Sequence, residues 1–493
     1  MNPEAMIPLD DIQAELAERR LFHFLRHAWH VLEPGKEFVE SRGVETVCEY
    51  LEAVTLRTLP TQHLIINIAP RCTKSITASV CWQPWEWLRS PSVGWLFSSH
   101  AASLALRDNV RSRDLILSPW YQERWGDRFE LKKDQNEKGR YENTKRGYRI
   151  AIGTGGALTG EGGDRCVADD PQNVDDIWGE TYRVGSARWW DNAFSTRLND
   201  RKTSSRVLIT QRTHPDDLTG HIKEGEQEGL YTFLEIKTKA EGRTVVSMPV
   251  SGEEWVREDG EFLCPERLGE KEWEDVRLEL GPRGRRAQHQ QDPDASEEGS
   301  LVKRDEFRFY KQLPEDFDRF VLVADTAAKE KESNDYTVFQ LWGDVVGWDY
   351  YLISQWRDKL LYPKMKRKLG TIYTSQDDWA LVKYERHISA IVVEDKSTGE
   401  ALIPDLQELY GPLVVPMKAE KDKVQRFNVH ALPAIEVGRI HLPESSPWLE
   451  TFLSELFAFP DGKHDDQVDT MVHAITWLKQ YAQRPSARLR VFH

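Results

Sequence analysis

The first half of the chain changes from helical spacing to short apolar runs. Segments 12–32 and 44–56 place apolar residues three and four positions apart, which predicts amphipathic helices. From residue 64 onward, short apolar runs alternate with helical stretches, and they predict strands at 64–68, 93–98, 148–152, 165–168 and 206–209. Strand–helix alternation is typical of a mostly parallel sheet covered by helices. We therefore expect an α/β domain that begins with a helical segment.

A second group of apolar strands begins near residue 320, after a polar, broken interval. The predicted strands are 320–324, 338–342, 350–354 and 390–393, and helical patterns follow them. A chain of 493 residues is too long for one core and favours two or three domains. The expected divisions are an N-terminal helical segment at 1–60, a first α/β core at 61–250 and a connector holding a short helix at 251–300. A second α/β domain at 301–485 and a tail at 486–493 follow.

Composition narrows the class of protein without changing this architecture. Charged residues make up 30% of the chain and the mean hydropathy is −0.61, as in soluble globular proteins. No apolar run approaches the roughly 18 residues that span a bilayer, and the N-terminus has no signal-peptide pattern. Five scattered cysteines without a CxxC pair favour a reducing compartment and no zinc site. We expect a cytoplasmic protein without membrane contact.

The net charge of −15 argues against a protein that coats nucleic acid, because phosphate neutralisation drives non-specific binding. Local contact with nucleic acid is still compatible with this charge. Basic clusters at 132–133, 145–146, 283–286 and 364–368 are candidates for a groove, although each is equally a solvated face.

A loop that follows the first apolar strand has the chemistry of a phosphate site. Its residues are Pro70, Arg71, Cys72, Thr73, Lys74 and Ser75. A lysine suits β- and γ-phosphates, and a following hydroxyl suits magnesium. The G-x4-G-K-[ST] pattern is otherwise broken, because Ile68 and Thr73 replace its glycines. Thr73 matters more, since a β-branched residue restricts the backbone and crowds a bound phosphate.

Two later strand ends supply partners for this loop. Asp169 ends an apolar strand, where a magnesium-directed carboxylate is expected, and Asp170 is placed to orient an attacking water. Paired acids after a strand are also common as turns or helix caps. Gln211 follows the 206–209 strand, and a polar group there is suited to sensing the γ-phosphate.

Four motifs in this order resemble the large terminase subunit of tailed bacteriophages, the motor that pumps DNA into an empty capsid. They are the loop 70–75, the glycine-rich segment 155–162, Asp169-Asp170-Pro171, and the segment 212–218. The resemblance implies that Lys74 and Ser75 hold phosphate and magnesium, and that Asp169 supports the metal. It further implies that Asp170 is the catalytic carboxylate and that Gln211 lies in a coupling segment.

The chain departs from the family pattern at two places. Thr73 stands where the loop glycine is usual, which bears on ATP affinity. Glu161 stands where an arginine is frequent, so the arginine finger stays unassigned among Arg71, Arg146, Arg149 and Arg165.

The second half places acids at strand ends and at a helix start. Asp325 and Glu394 each end an apolar strand, and Asp465 and Asp466 open a helix with one apolar face. Three such carboxylate positions suit two divalent ions about 3.5–4 Å apart, which activate water for phosphodiester hydrolysis. Each acid alone is equally an ordinary cap. Together they resemble a ribonuclease H-like nuclease, the second domain of the same family. Asp335 and His464 are weaker auxiliary candidates, and Asp469 is expected at the rim.

The resemblance covers roughly residues 10 to 485. It implies an α/β fold with an N-terminal P-loop ATPase domain and a C-terminal ribonuclease H-like nuclease domain. The implied activities are ATP-driven translocation of double-stranded DNA and cleavage of concatemeric DNA, with ATP and Mg²⁺, or Mn²⁺ at the nuclease site. The implied partners are DNA, the capsid portal, a small terminase subunit and a ring of like copies, all in the host cytoplasm rather than the mature virion. A P-loop helicase or repair ATPase with a nuclease module is the first alternative, and a portal-docking scaffold that has lost hydrolysis is the second.

Overall fold

The chain divides into two units, each built around its own sheet. The computed structural model describes residues 9–156, 160–293, 301–326, 336–345, 349–395, 398–418, 422–460, 462 and 464–482. The first unit comprises residues 1–276 and 283–296, and the second comprises 277–282 and 297–493. Among the described residues, no helix has both the length and the apolar character that crossing a lipid bilayer requires.

The first unit begins with helices and continues as alternating strands and helices. Its strands are β1 His63–Ile68, β2 Trp95–Ser99, β3 Leu131–Asn136, β4 Arg140–Asn143, β5 Tyr148–Gly153, β6 Arg165–Asp169, β7 Ser205–Thr210, β8 Tyr231–Ile236, β9 Thr244–Ser247 and β10 Glu254–Arg257. Its helices are α1 Leu9–Arg19, α2 Leu21–Leu32, α3 Arg42–Leu56, α4 Trp82–Trp87, α5 Ala102–Leu117, α6 Pro119–Trp125, α7 Glu180–Arg188 and α8 Leu218–Glu224. Helix α9, Glu270–Gln290, crosses the unit boundary and kinks at Gly281 (φ 73°), which Pro282 follows.

Eight strands form the main sheet of this unit, in the order β3-β4-β5-β2-β6-β7-β1-β8. Strands β5, β2, β6, β7, β1 and β8 run parallel, whereas β3 and β4 are antiparallel additions at one edge. Each of the five strands expected from the sequence is present. Strands β6, β7 and β1 are neighbours, so their carboxyl ends meet at the same edge of the sheet.

Aromatic side chains fill much of the core of the first unit. Trp82, Trp85, Trp87 and Trp95 are fully buried, and Trp82 packs edge-to-face on Trp95 with ring centroids 4.8 Å apart. Most of these indoles come from the segment that directly follows the loop 70–75. Because closely packed aromatic groups have little room to shift, they fix the direction in which that segment leaves β1.

The interval expected as a connector contains regular structure. Strand β10 pairs with β9 as an antiparallel ribbon, and α9 occupies 21 residues of the same interval. Residues 251–276 and 283–296 group with the first unit. The connector boundaries at residues 251 and 300 stay a prediction.

The second unit is a mixed sheet with helices on both faces. Its strands are β11 Arg308–Tyr310, β12 Arg319–Asp325, β13 Thr337–Val345, β14 Asp349–Asp358, β15 Ala390–Glu394, β16 Val414–Met417 and β17 Ile440–Pro443, in the order β11-β17-β14-β13-β12-β15-β16. Its helices are α10 Tyr362–Tyr384, α11 Thr398–Tyr410, α12 Lys423–Arg426, α13 Leu432–Glu436, α14 Leu449–Ala458 and α15 Asp466–Ala482. Strands β12, β13 and β14 are antiparallel, while β15 pairs in parallel with β12 and with β16.

Successive side chains of β12 point to opposite faces of the sheet and pack into two separate cores. Val321 and Val323 face the core shared with α13, α14 and α15, whereas Leu322 and Ala324 face the core shared with α10 and α11. A strand covered on both faces reads as a continuous apolar run, which is why the sequence identified it. The same coverage carries Asp325, the last residue of β12, into a buried position, 8% exposed.

Two buried histidines make the first unit sensitive to acid. His63 and His289 are each 4% exposed, and burial lowers the pKa of both to about 4. An unfolded histidine titrates near 6.5, so the unfolded chain takes up protons first as the pH falls. The stability that depends on a neutral His63 is therefore complete above about pH 6.5 and is lost progressively as the pH falls towards 4.

We expect the free energy of unfolding to fall less with acid in His63→Gln than in the wild type. Between pH 6.5 and 5 the fall in the variant should be smaller by about 1–2 kcal/mol. Glutamine keeps an acceptor for the Arg206 amide, which donates to His63 Nδ1 at 3.3 Å. Urea unfolding at a series of pH values measures this slope, with exposed His30→Gln as the matched control. Equal slopes for His63→Gln and wild type would contradict the assignment.

Candidate active sites

The loop 70–75 has an unusual backbone for a segment without glycine. It leaves the carboxyl end of β1, and Arg71 and Thr73 both take left-handed conformations, with φ of 61° and 64°. Such φ values are uncommon outside glycine, and a β-branched threonine is strained there. The Thr73 carbonyl accepts the Thr77 amide at 3.0 Å and so joins the loop to the following helical turns. The loop thus keeps a glycine-type turn without its glycine.

Lys74 lies at the centre of the first site and is 5% exposed. Its ammonium donates to Asp170 Oδ1 at 2.8 Å and also to Gln211 Oε1. The three residues come from the ends of β1, β6 and β7, three neighbouring parallel strands. The structure therefore brings together the loop lysine, the second acid and the glutamine that the sequence singled out.

Ser75 and Asp169 form the second half of this site. Ser75 Oγ donates to Asp169 Oδ1 at 3.2 Å, and Ser79 Oγ donates to Oδ2 at 2.7 Å. Burial, together with the nearby charge of Asp170, raises the pKa of Asp169 to about 7. A hydroxyl and a carboxylate are the hard oxygen ligands that Mg²⁺ prefers, so this pair fits a magnesium ion. Ser79 was not expected from the sequence, although it lies one helical turn after Ser75.

A cavity of about 680 Å³ opens over the loop. The cavity is lined by loop residues, by both partners of Lys74, and by side chains from α2, α5, the residue after α2 and the segment before α9. The lining residues include Trp29, Glu33, Arg71, Thr73, Lys74, Ser75, Arg107, Arg111, Asp170, Gln211 and Arg267. Ligand cavities of roughly 300–1,000 Å³ hold molecules of nucleotide size. The loop therefore faces a space large enough for its proposed ligand.

Burial removes two of the four candidate arginine fingers. Arg149 is fully buried, where it donates to Asn109 Oδ1 at 2.7 Å and stacks over the Phe97 ring. Arg165 forms a buried ion pair with Glu86 at 2.7 Å. Both guanidinium groups are engaged inside the first unit, which argues against either as the arginine finger. Arg71 and Arg146 are exposed and stay predictions.

The second site begins with two carboxylates on paired strands. Asp325 ends β12 and Glu394 ends the adjacent β15, so their side chains lie together, each 8% exposed. Burial and the charge of Glu394 raise the pKa of Asp325 far above its usual value. Burial also opposes ionisation of Glu394. The pKa of Glu394 is nevertheless lowered, because His473 contributes a hydrogen bond and charge and Asp325 donates a further hydrogen bond. Within this pair, ionisation of Glu394 is therefore favoured over ionisation of Asp325.

The acids at the start of α15 each meet a basic side chain. Asp465 pairs with Lys423, Asp469 with Arg426 at 3.2 Å, and Arg357 lies 3.9 Å from Asp466. Asp469, expected at the rim, has its side chain 15% exposed, and its charge contributes more than that of Asp466 to the raised pKa of Asp325.

A preformed metal cage is not part of this arrangement. Within the described ranges, no three side chains of His, Cys, Asp or Glu converge closely enough to hold an ion. Asp325 and Glu394 are brought together, whereas Asp465 and Asp466 stand apart with their own partners. Two adjacent buried carboxylates still fit Mg²⁺, which is commonly held by one or two carboxylates with water and substrate phosphate. Asp335 lies outside the described residues, and His464 packs edge-on against Tyr336.

Sequence inspection missed the polar residues that surround these acids. His473 Nε2 lies 3.6 Å from Glu394 Oε1 and 3.0 Å from the Arg426 guanidinium. Its spacing contained a signal, because His473 lies four residues after Asp469 and hence on the same side of α15. Lys423 and Arg357 carried no such signal, since they come from α12 and β14.

Comparison with known proteins agrees with both folds. Residues 322–477 match the family model described as the terminase RNaseH-like domain. The structure of the large terminase from a thermophilic bacteriophage is similar, with 11% identity, a TM-score of 0.52, and coverage of 89% of this chain and 98% of that chain. A second structure of the same phage terminase, in complex with ADP, gives 12% identity, a TM-score of 0.51, and coverage of 88% and 98%. No curated protein sequence matches the chain.

At these identities the structural likeness concerns the fold. It confirms the predicted class, an N-terminal ATPase-type domain with a mostly parallel sheet followed by a ribonuclease H-like α/β domain. The chain is thus similar over most of its length to bacteriophage large terminases, and its residues 322–477 match the terminase RNaseH-like domain.

Proposed function

We propose that this protein is an ATP-driven motor that moves viral double-stranded DNA into a capsid and cuts concatemeric DNA with a metal-dependent nuclease. The observation that carries the proposal is that each unit has acidic residues at the edge where neighbouring parallel strands end. In the first unit a lysine from the loop 70–75 lies beside these acids, and in the second unit two acids lie side by side. Lys74, Asp170 and Gln211 meet in the first unit, and Asp325 and Glu394 meet in the second. The ADP complex of the thermophilic phage relative supports a nucleotide as ligand of the first site.

In the first site, each side chain has a distinct part in ATP hydrolysis. Bound Mg²⁺ would neutralise developing phosphate charge, and Ser75 and Asp169 would hold it. Lys74 supplies a buried positive charge for the β- and γ-phosphates, and its move towards phosphate frees Asp170 to orient the attacking water. Gln211, at the end of β7, contacts the same ammonium, so a movement of Lys74 on loss of the γ-phosphate would change this contact. That contact is the proposed start of coupling to DNA movement.

In the second site, Asp325 and Glu394 would hold Mg²⁺ or Mn²⁺ beside a DNA phosphate. The metal supplies an activated water and stabilises the leaving oxygen. His473 favours the ionised form of Glu394, and a bound cation would favour the ionised form of Asp325 as well. Asp466, which lies 3.9 Å from Arg357, is the proposed third ligand, and Asp465 is a neighbouring candidate.

The proposed partners follow from the same function. They are double-stranded DNA, the capsid portal, a small terminase subunit and further copies of this chain in a ring, in the host cytoplasm. An arginine of a neighbouring copy would complete the ATP site, with Arg71 and Arg146 as the exposed candidates. A helicase or repair ATPase with a nuclease module would instead act without a portal-bearing capsid. A scaffold that has lost hydrolysis would bind portal or DNA and leave ATP intact.

Separate variants should silence the two activities one at a time. Asp325→Ala is expected to abolish plasmid cleavage in Mn²⁺ and to leave ATPase activity unchanged, because the two sites lie in different units. Lys74→Ala is expected to lower ATPase activity on the order of 10²-fold or more, since a buried charge at the reacting phosphate is lost, and to leave cleavage unchanged.

Exposed residues provide matched controls for both variants, namely Asp378→Ala in α10 and Lys202→Ala in the turn before β7. Cleavage is read on gels with Mg²⁺, Mn²⁺ or EDTA, and hydrolysis by phosphate release with capsids present. Loss of both activities in either folded variant would contradict the two-site proposal. Intact ATP in the presence of capsids would favour the scaffold.

Metal binding should be visible as stability without any turnover. We expect Mn²⁺ at about 100 times its Kd to stabilise the wild type by about 2.7 kcal/mol over the EDTA-treated protein. Asp325→Asn should lose this increment yet be at least as stable in EDTA, because the amide removes the need to bury a second acid beside Glu394. Thermal unfolding with Mn²⁺ and with EDTA measures both quantities. An unchanged Mn²⁺ increment in Asp325→Asn would place the ion elsewhere.

A further inference from the structure

Thr73 occupies the one place in the loop where the family usually has glycine, yet the backbone there is still left-handed. Its φ is 64°, and Arg71 two residues earlier has φ 61°. Left-handed φ is sterically easy only for glycine, and a β-branched side chain makes it harder still. Interactions from elsewhere in the fold must therefore hold this shape.

One guanidinium contacts both left-handed residues. Arg267 Nη1 donates to Thr73 Oγ1 at 2.8 Å and to the Arg71 carbonyl at 3.2 Å. The first bond exists only because position 73 carries a hydroxyl, which glycine lacks. The residue that strains the loop thus also supplies the acceptor through which Arg267 fixes it.

Arg267 is held on a fixed turn of the first unit. The amides of Arg267 and Leu268 both donate to the Cys264 carbonyl, at 3.1 and 2.9 Å. Just before this turn, buried Leu263 donates its amide to the Thr238 carbonyl at 2.7 Å. The guanidinium therefore reaches the loop from a rigid base rather than from a freely moving segment.

Charge pairing separates Arg267 from most other cations around the cavity. Arg107 pairs with Asp108, Arg111 with Glu33, and Lys36 with Glu33. Arg267 donates instead to two neutral oxygens, and no carboxylate in the described part of the chain lies within ion-pairing distance of it. Its contacts are thus directed at the loop and are not explained by neutralising an acid.

We propose that Arg267 is a positioning residue that takes over the role of the missing glycine by locking Thr73 and Arg71 in the phosphate-binding conformation. This inference rests on the proposed nucleotide site. Arg267 and Thr73 act together: the threonine hydroxyl is the acceptor for the arginine, and the arginine is needed chiefly because position 73 carries a β-branched residue in a left-handed conformation.

The test measures equilibrium binding of a fluorescent ATP analogue with Mg²⁺ to the full chain. Arg267→Ala should raise the Kd about tenfold, as expected for loss of a charge-assisted hydrogen bond. In the Thr73→Ser background, which keeps the hydroxyl, Arg267→Ala should raise the Kd by the same factor. Exposed Arg243→Ala is the matched control for removal of an arginine from the same unit.

The deciding variant is the double change Thr73→Gly with Arg267→Ala. Because glycine adopts the turn unaided, its Kd should lie within about twofold of Thr73→Gly alone. The same tenfold loss in the glycine background would overturn the proposal, since Arg267 would then act on the nucleotide itself. An unchanged Kd for Arg267→Ala would overturn it too. Failure of the wild type to bind the analogue would instead refute the nucleotide site, so the two failures are distinguishable.

Discussion

The parallel pairing of neighbouring strands is the constraint on which both sites depend. In the first unit, β6, β7 and β1 end at one edge, and in the second unit β12 and β15 do the same. Polar residues that follow these strands must therefore meet, however far apart they stand in the sequence. Asp170 and Gln211 stand 96 and 137 positions from Lys74 along the chain, and both contact its ammonium.

The two edges solve the problem of buried charge in different ways. At the first edge a lysine accompanies the acids: Asp170 pairs with Lys74, while burial and the charge of Asp170 raise the pKa of Asp169. At the second edge no lysine touches the strand-end pair among the described residues, and burial and the charge of Glu394 raise the pKa of Asp325. The first edge thus combines a fixed ammonium, which suits phosphate, with a hydroxyl and a carboxylate that suit Mg²⁺, whereas the strand-end pair of the second edge offers carboxylates alone.

The sequence predicted the features that follow from the alternation of strands and helices. It did not predict which polar side chains would be buried in the folded protein. Buried strands such as β12 are apolar along their whole length, so their ends could be read directly. Strands β3 and β4 are polar and antiparallel, so they gave no such pattern. Arg149 and Arg165 appeared free in the sequence because nothing local shows that Asn109 or Glu86 would enclose them. Cations such as Lys423 reach the second site from other elements, and only the tertiary fold brings them there.

The loop at β1 shows how a local rule can be broken when a distant segment compensates. A threonine in a left-handed turn conflicts with backbone preference, and such conflicts persist only where the surrounding structure overdetermines the conformation. Here the support comes from 194 residues away, through the Arg267 bond to the Thr73 hydroxyl. A broken consensus glycine is therefore not evidence of a lost phosphate site by itself. Its meaning depends on whether another side chain restores the turn, and in this chain one does.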